Sequence, residues 1–171
     1  MFIKPKKSLG QNFLIDRTVL EQIVDTVEIT NKEVLEIGPG SGNLTTFILK
    51  KNPKRLYVIE KDDELALLLK DKFNDEITII SDDVLKVSED KISSKKLTVF
   101  GNLPYNISTE ILSKWITNLN KNIWFESLVL MFQKEVAERI IADSNTSKYG
   151  RLSILSNWKL NIRKHVNKLT S

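Results

Sequence analysis

The sequence is organised around residues 34–44, which read Val-Leu-Glu-Ile-Gly-Pro-Gly-Ser-Gly-Asn-Leu. The segment 34–37 is short, largely apolar and rich in branched side chains, and this pattern predicts a buried parallel strand. Three glycines within five residues follow, and the spacing of Leu44, Phe47 and Ile48 then predicts a helix. A strand, a glycine turn and a helix build a ligand site in α/β sheets, because glycine lets the backbone approach a ligand closely.

The composition predicts one globular domain. The chain has 171 residues, of which 41% are hydrophobic and 28% charged. It contains no apolar run of the roughly 18 residues that a membrane span requires and no signal-peptide pattern, so we expect no membrane partner. The absence of cysteine excludes disulfides and thiolate metal sites, and the single histidine, His165, argues against a histidine-based zinc site. A cytoplasmic protein without a metal is the simplest interpretation.

Basic residues concentrate near both ends of the chain. Lysine and arginine total 26 against 22 acidic residues, and a net charge of +4 is too small to demonstrate nucleic-acid binding. The clusters are Lys4, Lys6 and Lys7 at the start, and Lys159, Arg163, Lys164 and Lys168 at the end. Such clusters can hold a phosphate backbone, although solvated tails explain them equally well.

Strand and helix patterns alternate along the chain. Residues 1–15 are predicted to be a basic arm, and Asp16 is predicted to cap the first helix. Strands are predicted near residues 34–37, 56–60, 77–80, 97–100 and 127–132. Further helices are predicted at 43–51, after a cap at Asp62, and at 108–119, 134–142 and 152–158. This alternation predicts a mostly parallel sheet with helices on both faces, whose strand ends face a ligand crevice.

Acidic residues at two strand ends indicate an adenosine-containing ligand. Glu60 ends the second strand, where a carboxylate commonly binds both ribose hydroxyls, and Asp83 or Asp82 after the third strand is placed to accept from an adenine amine. The glycine spacing is G-x-G-x-G rather than the dinucleotide pattern G-x-G-x-x-G. A nicotinamide dinucleotide and S-adenosylmethionine both remain open at this point.

One segment distinguishes between these two candidate ligands, and it consists of Asn102, Leu103, Pro104 and Tyr105. The asparagine side-chain carbonyl and a neighbouring backbone carbonyl can both accept hydrogen bonds from one planar amino group, which directs the nitrogen lone pair at an electrophile. Proline stiffens the segment, and a base can stack on the tyrosine ring, which contributes roughly 1–3 kcal/mol. Positioning and polarisation suffice for methyl transfer from a sulfonium, so no general base is required.

With these motifs in place, the sequence resembles the ribosomal RNA adenine N6-dimethyltransferase family of the KsgA type. The resemblance runs from about residue 4 to residue 166. It is carried by motifs at residues 10–14, 36–42, 58–60, 102–108, 133–136 and 149–153.

The resemblance implies a Rossmann-like class I methyltransferase fold with S-adenosylmethionine as methyl donor. It implies that two adjacent adenosines near the 3′ end of small-subunit ribosomal RNA are dimethylated within an assembling particle. By motif, the donor site would comprise Asn12, Leu14, Gly38, Glu60, Asp83 and Asn102, and the alignment alone selects Asp83 over Asp82. The target amine and base would be held by Asn102, Leu103, Pro104 and Tyr105, and Phe13 would also approach the base.

Three alternatives remain. Macrolide-resistance methyltransferases of large-subunit RNA share much of the pattern, although the Gly38-Pro39-Gly40 turn and Gly10 favour the small-subunit branch. A ribosome-assembly factor that binds RNA, with only incidental methylation, would not need Asn102 or Tyr105. A nicotinamide dehydrogenase is disfavoured by the glycine spacing and by the lack of an evident proton-transfer residue.

The chain departs from the family at its end. Family members continue into a proline-rich segment, a last strand and a small helical domain, whereas this sequence stops at Ser171. The expectation is a truncated, degraded or frameshifted product comprising the arm and a catalytic domain at residues 16–171, which places RNA recognition and turnover in doubt. We expect a monomer in which an unpaired sheet edge permits self-association.

Overall fold

The computed structural model describes residues 14–119 and 122–165. The helices are α1 (Arg17–Val24), α2 (Asn43–Leu49), α3 (Asp63–Phe73), α4 (Ser108–Asn118), α5 (Lys134–Ile140) and α6 (Arg151–Lys159). The strands are β1 (Glu33–Ile37), β2 (Arg55–Glu60), β3 (Thr78–Ser81), β4 (Leu97–Asn102) and β5 (Phe125–Met131). All but the last two residues of the predicted arm lie outside the described residues.

The strands form one parallel sheet in the order β3-β2-β1-β4-β5. The chain runs outward from β1 to β3 and then crosses to β4 on the other side of β1. The order therefore reverses beside β1, and this switch point is where open α/β sheets bind ligands. The prediction of a Rossmann-like, mostly parallel sheet is confirmed.

Two layers of apolar side chains cover the sheet. Helices α1, α2 and α3 pack on one face through residues such as Leu20, Phe47 and Leu69. On the other face α4 packs through Ile111 and Trp115. Every residue of β1 is buried, as the strand prediction required.

Two predicted helix caps are confirmed. The Asp16 carboxylate accepts from the backbone N–H groups of Thr18 and Val19 at 2.9 and 3.2 Å. The Asp62 carboxylate accepts from the N–H of Glu64 at 3.1 Å. Both contacts satisfy amide groups that have no partner within the helix.

Some predicted boundaries were wrong, and one correction concerns the site. The fourth strand was predicted to end at residue 100, but β4 continues through Gly101 and Asn102. These two residues pair with Leu130 and Met131 of the neighbouring strand β5. The local sequence pattern does not reveal this pairing. Asn102 is therefore the last residue of a strand, and only the residues after it form the loop.

Among the described residues, no helix is long and apolar enough to cross a membrane.

Candidate functional site

Four polar segments meet at one edge of the sheet. They lie at or just after the carboxyl ends of neighbouring parallel strands, in the spatial order Asp83, Glu60, the glycine turn and Asn102. The sheet register places Glu60 beside Ser81, and Ile37 between Ile59 and Gly101. Residues separated by more than forty positions in sequence are thus neighbours.

The glycine turn has backbone conformations that few residues other than glycine adopt. Gly38, Gly40 and Gly42 have φ angles of 63°, 59° and 75°, in the left-handed region. The Gly38 N–H donates to the carbonyl of Ile59 at 2.9 Å, which joins the turn to the end of β2. A Cβ at Gly42 would lie 2.5 Å from the Phe73 ring, so helix α3 leaves no room for a side chain there.

Glu60 supports the turn directly. Its side chain is buried at 6% exposure. One carboxylate oxygen accepts from the Gly40 N–H at 3.2 Å, and the other accepts from the Asp62 N–H at 2.9 Å. Burial is the main influence on this carboxyl and raises its pKa, while these amide contacts act in the opposite direction. The acid predicted to bind a ribose is therefore held in place by the turn that follows β1.

Asp83 has two partners of its own. Its Oδ1 accepts from the Leu85 N–H at 3.0 Å and its Oδ2 accepts from Lys61 Nζ at 2.8 Å. The hydrogen bond from Lys61 is the main cause that lowers the pKa of Asp83. The neighbouring Asp82 instead turns back and accepts from the Asp83 N–H at 2.7 Å. The structure thus distinguishes two acids that were equal on chemistry alone.

The segment after Asn102 forms a tight turn into α4. Leu103 is buried at 1% exposure, and the carbonyl of Pro104 accepts from the Ile107 N–H at 3.1 Å. Tyr105 is partly exposed. An ideal Cβ at Gly38 would lie only 3.9 Å from the Asn102 carbonyl oxygen, so this turn and the glycine turn are in close proximity.

A cleft lies between these two turns. Among the described residues it is lined by Leu14, Glu36, Gly38, Pro39, Ser41, Asn43, Leu44 and Asn102. The Asn43 side chain donates to the Leu14 carbonyl at 2.9 Å, which ties the end of the arm to α2. Glu60 and Asp83 are not part of this lining and lie further along the sheet edge. Asn12 and Phe13 fall outside the described residues.

Two functional candidates were missed by the sequence reasoning. Glu36 lies in the cleft wall at 1% exposure and accepts from the Thr45 hydroxyl at 2.6 Å. Burial raises its pKa to about 8. Lys72 of α3 donates to the carbonyls of Ser41 and Gly42 at 2.9 and 3.3 Å and so holds the glycine turn from outside. A carboxylate inside an apolar strand was the available signal for Glu36, whereas no sequence pattern indicated Lys72.

The arrangement offers acceptors for a ligand that carries hydroxyl and amino groups. Carboxylates at the ends of β2 and β3 are acceptors for hydroxyl and amino groups, and the glycine turn admits a ligand close to the backbone. Within residues 14–119 and 122–165, no His, Asp and Glu side chains are grouped to hold a metal ion.

Known proteins are similar to this chain in sequence and in fold. The family model described as ribosomal RNA adenine dimethylase matches residues 3–170. A curated relative from Pelagibacter ubique, named ribosomal RNA small subunit methyltransferase A, is 76% identical over 164 residues, which are 96% of this chain and 63% of the relative. The chain therefore spans less than two thirds of that relative's length.

Two solved structures show the same architecture. A dimethyladenosine transferase from Plasmodium falciparum has a TM-score of 0.71 at 30% identity, over 84% of this chain and 51% of that one. The 23S rRNA methyltransferase ErmE has a TM-score of 0.67 at 28% identity, over 85% of this chain and 55% of that one. The strand order, the glycine turn and the match over nearly the whole sequence lead to one assignment: this chain belongs to the ribosomal RNA adenine dimethylase family.

Proposed function

We propose that this chain binds S-adenosylmethionine and carries the catalytic site for N6-dimethylation of two adjacent adenosines near the 3′ end of small-subunit ribosomal RNA. Family membership supports the reaction class. The name of the 76% identical relative supports the small subunit as the source of the RNA. The observation that carries the proposal is the proximity of the glycine turn to Asn102, with a cleft between them.

The described residues fit the methyl donor. Glu60 is a buried carboxylate at the end of β2, where a ribose would offer two hydroxyl donors. Asp83 is an acceptor at the end of the next strand, suited to an adenine amine. Leu14 and Gly38 line the cleft on the side of the glycine turn, and the cleft would take the amino-acid part of the donor. We include Asn12 in this set from its motif alone.

The second half of the site would position the amine that is methylated. When bound, S-adenosylmethionine supplies a methyl group on a positively charged sulfur. The Asn102 side-chain carbonyl and the backbone carbonyl of Leu103 would accept from the two N–H bonds of the adenine amine. Pro104 restricts the backbone of this segment, and the partly exposed Tyr105 ring offers a surface on which the base can stack. Electrostatic positioning of this kind acts without reorganisation at the moment of reaction.

The proposal extends to the domains, the partner and the oligomeric state of the chain. We assign residues 1–15 to an arm that carries the Asn12 motif, and residues 16–171 to the catalytic domain. The partner is small-subunit ribosomal RNA or the pre-ribosomal small subunit in the cytoplasm. We propose a monomer, with self-association through the open side of β5, which pairs only with β4 among the described residues.

Calorimetric titration with S-adenosylmethionine tests the donor site first. We expect saturable binding, no binding of NAD, and weaker donor binding by Glu60→Ala. The variant loses the acceptor for ribose and also the contact to Gly40, so its fold is checked by circular dichroism. Saturable binding of NAD instead of S-adenosylmethionine would overturn the donor assignment.

Methylation assays then test the substrate. Incubation with labelled donor and either small-subunit particles or large-subunit RNA distinguishes this function from the activity that the name ErmE describes. We expect label on adenine of the small-subunit RNA and its loss in Asn102→Ala. Particle binding by a chain that transfers no methyl group, unchanged in Asn102→Ala, would instead support an RNA-binding assembly factor.

A further inference from the structure

Lys61 joins the two strand ends that form the proposed nucleoside site. It follows Glu60 directly, and its Nζ lies 2.8 Å from Oδ2 of Asp83. A second link, from the Ser81 hydroxyl to the Asp63 carboxylate at 3.0 Å, joins the same two segments. The residues at and after the ends of β2 and β3 are thus connected at two points beside the site.

The contacts of Asp83 leave hydrogen-bond acceptor positions on its carboxylate for a ligand. Its Oδ1 accepts from the Leu85 N–H and its Oδ2 accepts from Lys61. A carboxylate offers about four acceptor positions, so two protein donors do not saturate it. Together the two donors hold the plane of the carboxylate, because each oxygen is attached to a different segment of the chain.

The two side chains differ in their exposure to solvent. The Asp83 side chain is 14% exposed, whereas that of Lys61 is 57% exposed. The lysine therefore approaches from the solvent side of a largely covered carboxylate. An exposed ion pair of this kind contributes little to stability, so its main consequence is the orientation of the acceptor.

We propose that Lys61 is a specificity-determining residue for the adenine of the methyl donor. It holds Asp83 in the orientation in which the carboxylate accepts a hydrogen bond from the 6-amino group of the adenine. The inference rests on the proposed donor site. Asp83 supplies the contact to the base, and Lys61 acts through Asp83 without touching the ligand.

Paired titrations of two ligands test this role. One ligand is S-adenosylhomocysteine, which lacks the sulfonium charge, so that removing a lysine does not alter affinity through simple charge repulsion. The other is its analogue with hydrogen in place of the 6-amino group. We expect Lys61→Met to raise the Kd of S-adenosylhomocysteine about 2- to 5-fold, the range that corresponds to an exposed ion pair. The Kd of the analogue should stay within error, so the preference for the amino group narrows by the same factor.

Three further variants separate orientation from other effects. Lys61→Arg keeps the charge and the donor and should retain the wild-type preference. Lys70→Met removes an exposed lysine from the neighbouring helix α3 and should change neither Kd. In an Asp83→Asn background, Lys61→Met should have no additional effect on the preference.

The outcomes distinguish this inference from the function on which it rests. If the wild-type protein binds S-adenosylhomocysteine and Lys61→Met leaves the preference unchanged, Lys61 is an ordinary surface cation and the inference fails alone. Tighter binding by Lys61→Met would also overturn it, because the lysine would then compete with the adenine. A folded wild-type protein that binds neither ligand would overturn both the inference and the donor site.

Discussion

Glu36 should make the stability of this protein fall as the pH rises towards 8. The side chain is fully buried in the central strand β1, and its carboxyl accepts from the Thr45 hydroxyl. Its pKa is raised to about 8, against 4.5 for an ordinary glutamate, chiefly because burial disfavours the charged form. Between these two values the folded protein keeps a proton that the unfolded chain releases.

The magnitude follows from the separation of the two pKa values. Each pKa unit corresponds to about 1.4 kcal/mol, so full ionisation of Glu36 removes on the order of 4–5 kcal/mol from the free energy of unfolding. The contribution is fully present below pH 4.5 and is lost progressively as the pH rises through 8. This is a large share of the 5–15 kcal/mol that is typical of a folded domain.

Denaturant unfolding of the wild type and Glu36→Gln at pH 5, 6, 7, 8 and 9 measures this effect. The glutamine keeps the shape and cannot ionise, and the difference between the two proteins cancels the titration of all other groups. We expect the wild type to lose several kcal/mol relative to the variant across this range.

Glu33→Gln is the matched control, at the other end of β1. The Ser93 hydroxyl is the main cause that lowers the pKa of Glu33, so its contribution is lost only below pH 4.5. Its profile should run parallel to that of the wild type between pH 5 and 9. A parallel profile for Glu36→Gln as well would refute the assignment of a neutral, buried carboxyl to Glu36.

Three further predictions follow from the contacts. Gly42→Ala should lower the free energy of unfolding by more than about 1 kcal/mol in denaturant titrations, because its Cβ would meet the Phe73 ring at 2.5 Å with φ at 75°; unchanged stability would contradict the packing. Lys114→Met should cost about 1–3 kcal/mol in the same assay, since it removes a 2.8 Å contact from the buried Glu89 carboxylate; Lys114→Arg is the comparison, and equal loss in both would argue against a charge effect. Tyr105→Ala should reduce kcat/KM for the proposed methylation roughly 5- to 150-fold through lost base stacking, with Tyr105→Phe close to wild type. Equal activity of both variants would show that stacking on the ring does not contribute to the reaction.

The order of strands and helices was readable from local patterns. β1, β2 and β4 are buried strands whose apolar runs stand out between polar turns, and Asp16 and Asp62 precede their helices with the side chains that caps require. The glycine turn was equally readable, because three positive φ angles in five residues need glycine. These features depend on residues close together in sequence.

The extent of β4 was not readable in the same way. Gly101 and Asn102 have low intrinsic preference for strands, and they are extended because β5 supplies hydrogen-bond partners on one side. That partner strand begins more than twenty residues later. Local propensity therefore placed the end of the strand two residues too early.

The sequence by itself determined the class of fold, the glycine turn and the set of polar strand ends, because each arises from periodicity or from backbone conformations that only certain residues adopt. Only the tertiary structure decided which neighbours those polar groups have. It placed Lys61 on Asp83, Lys72 on the turn carbonyls and Glu36 in a dry environment that raises its pKa. Distances, burial and dielectric environment depend on how distant segments pack, and a linear pattern does not contain that information.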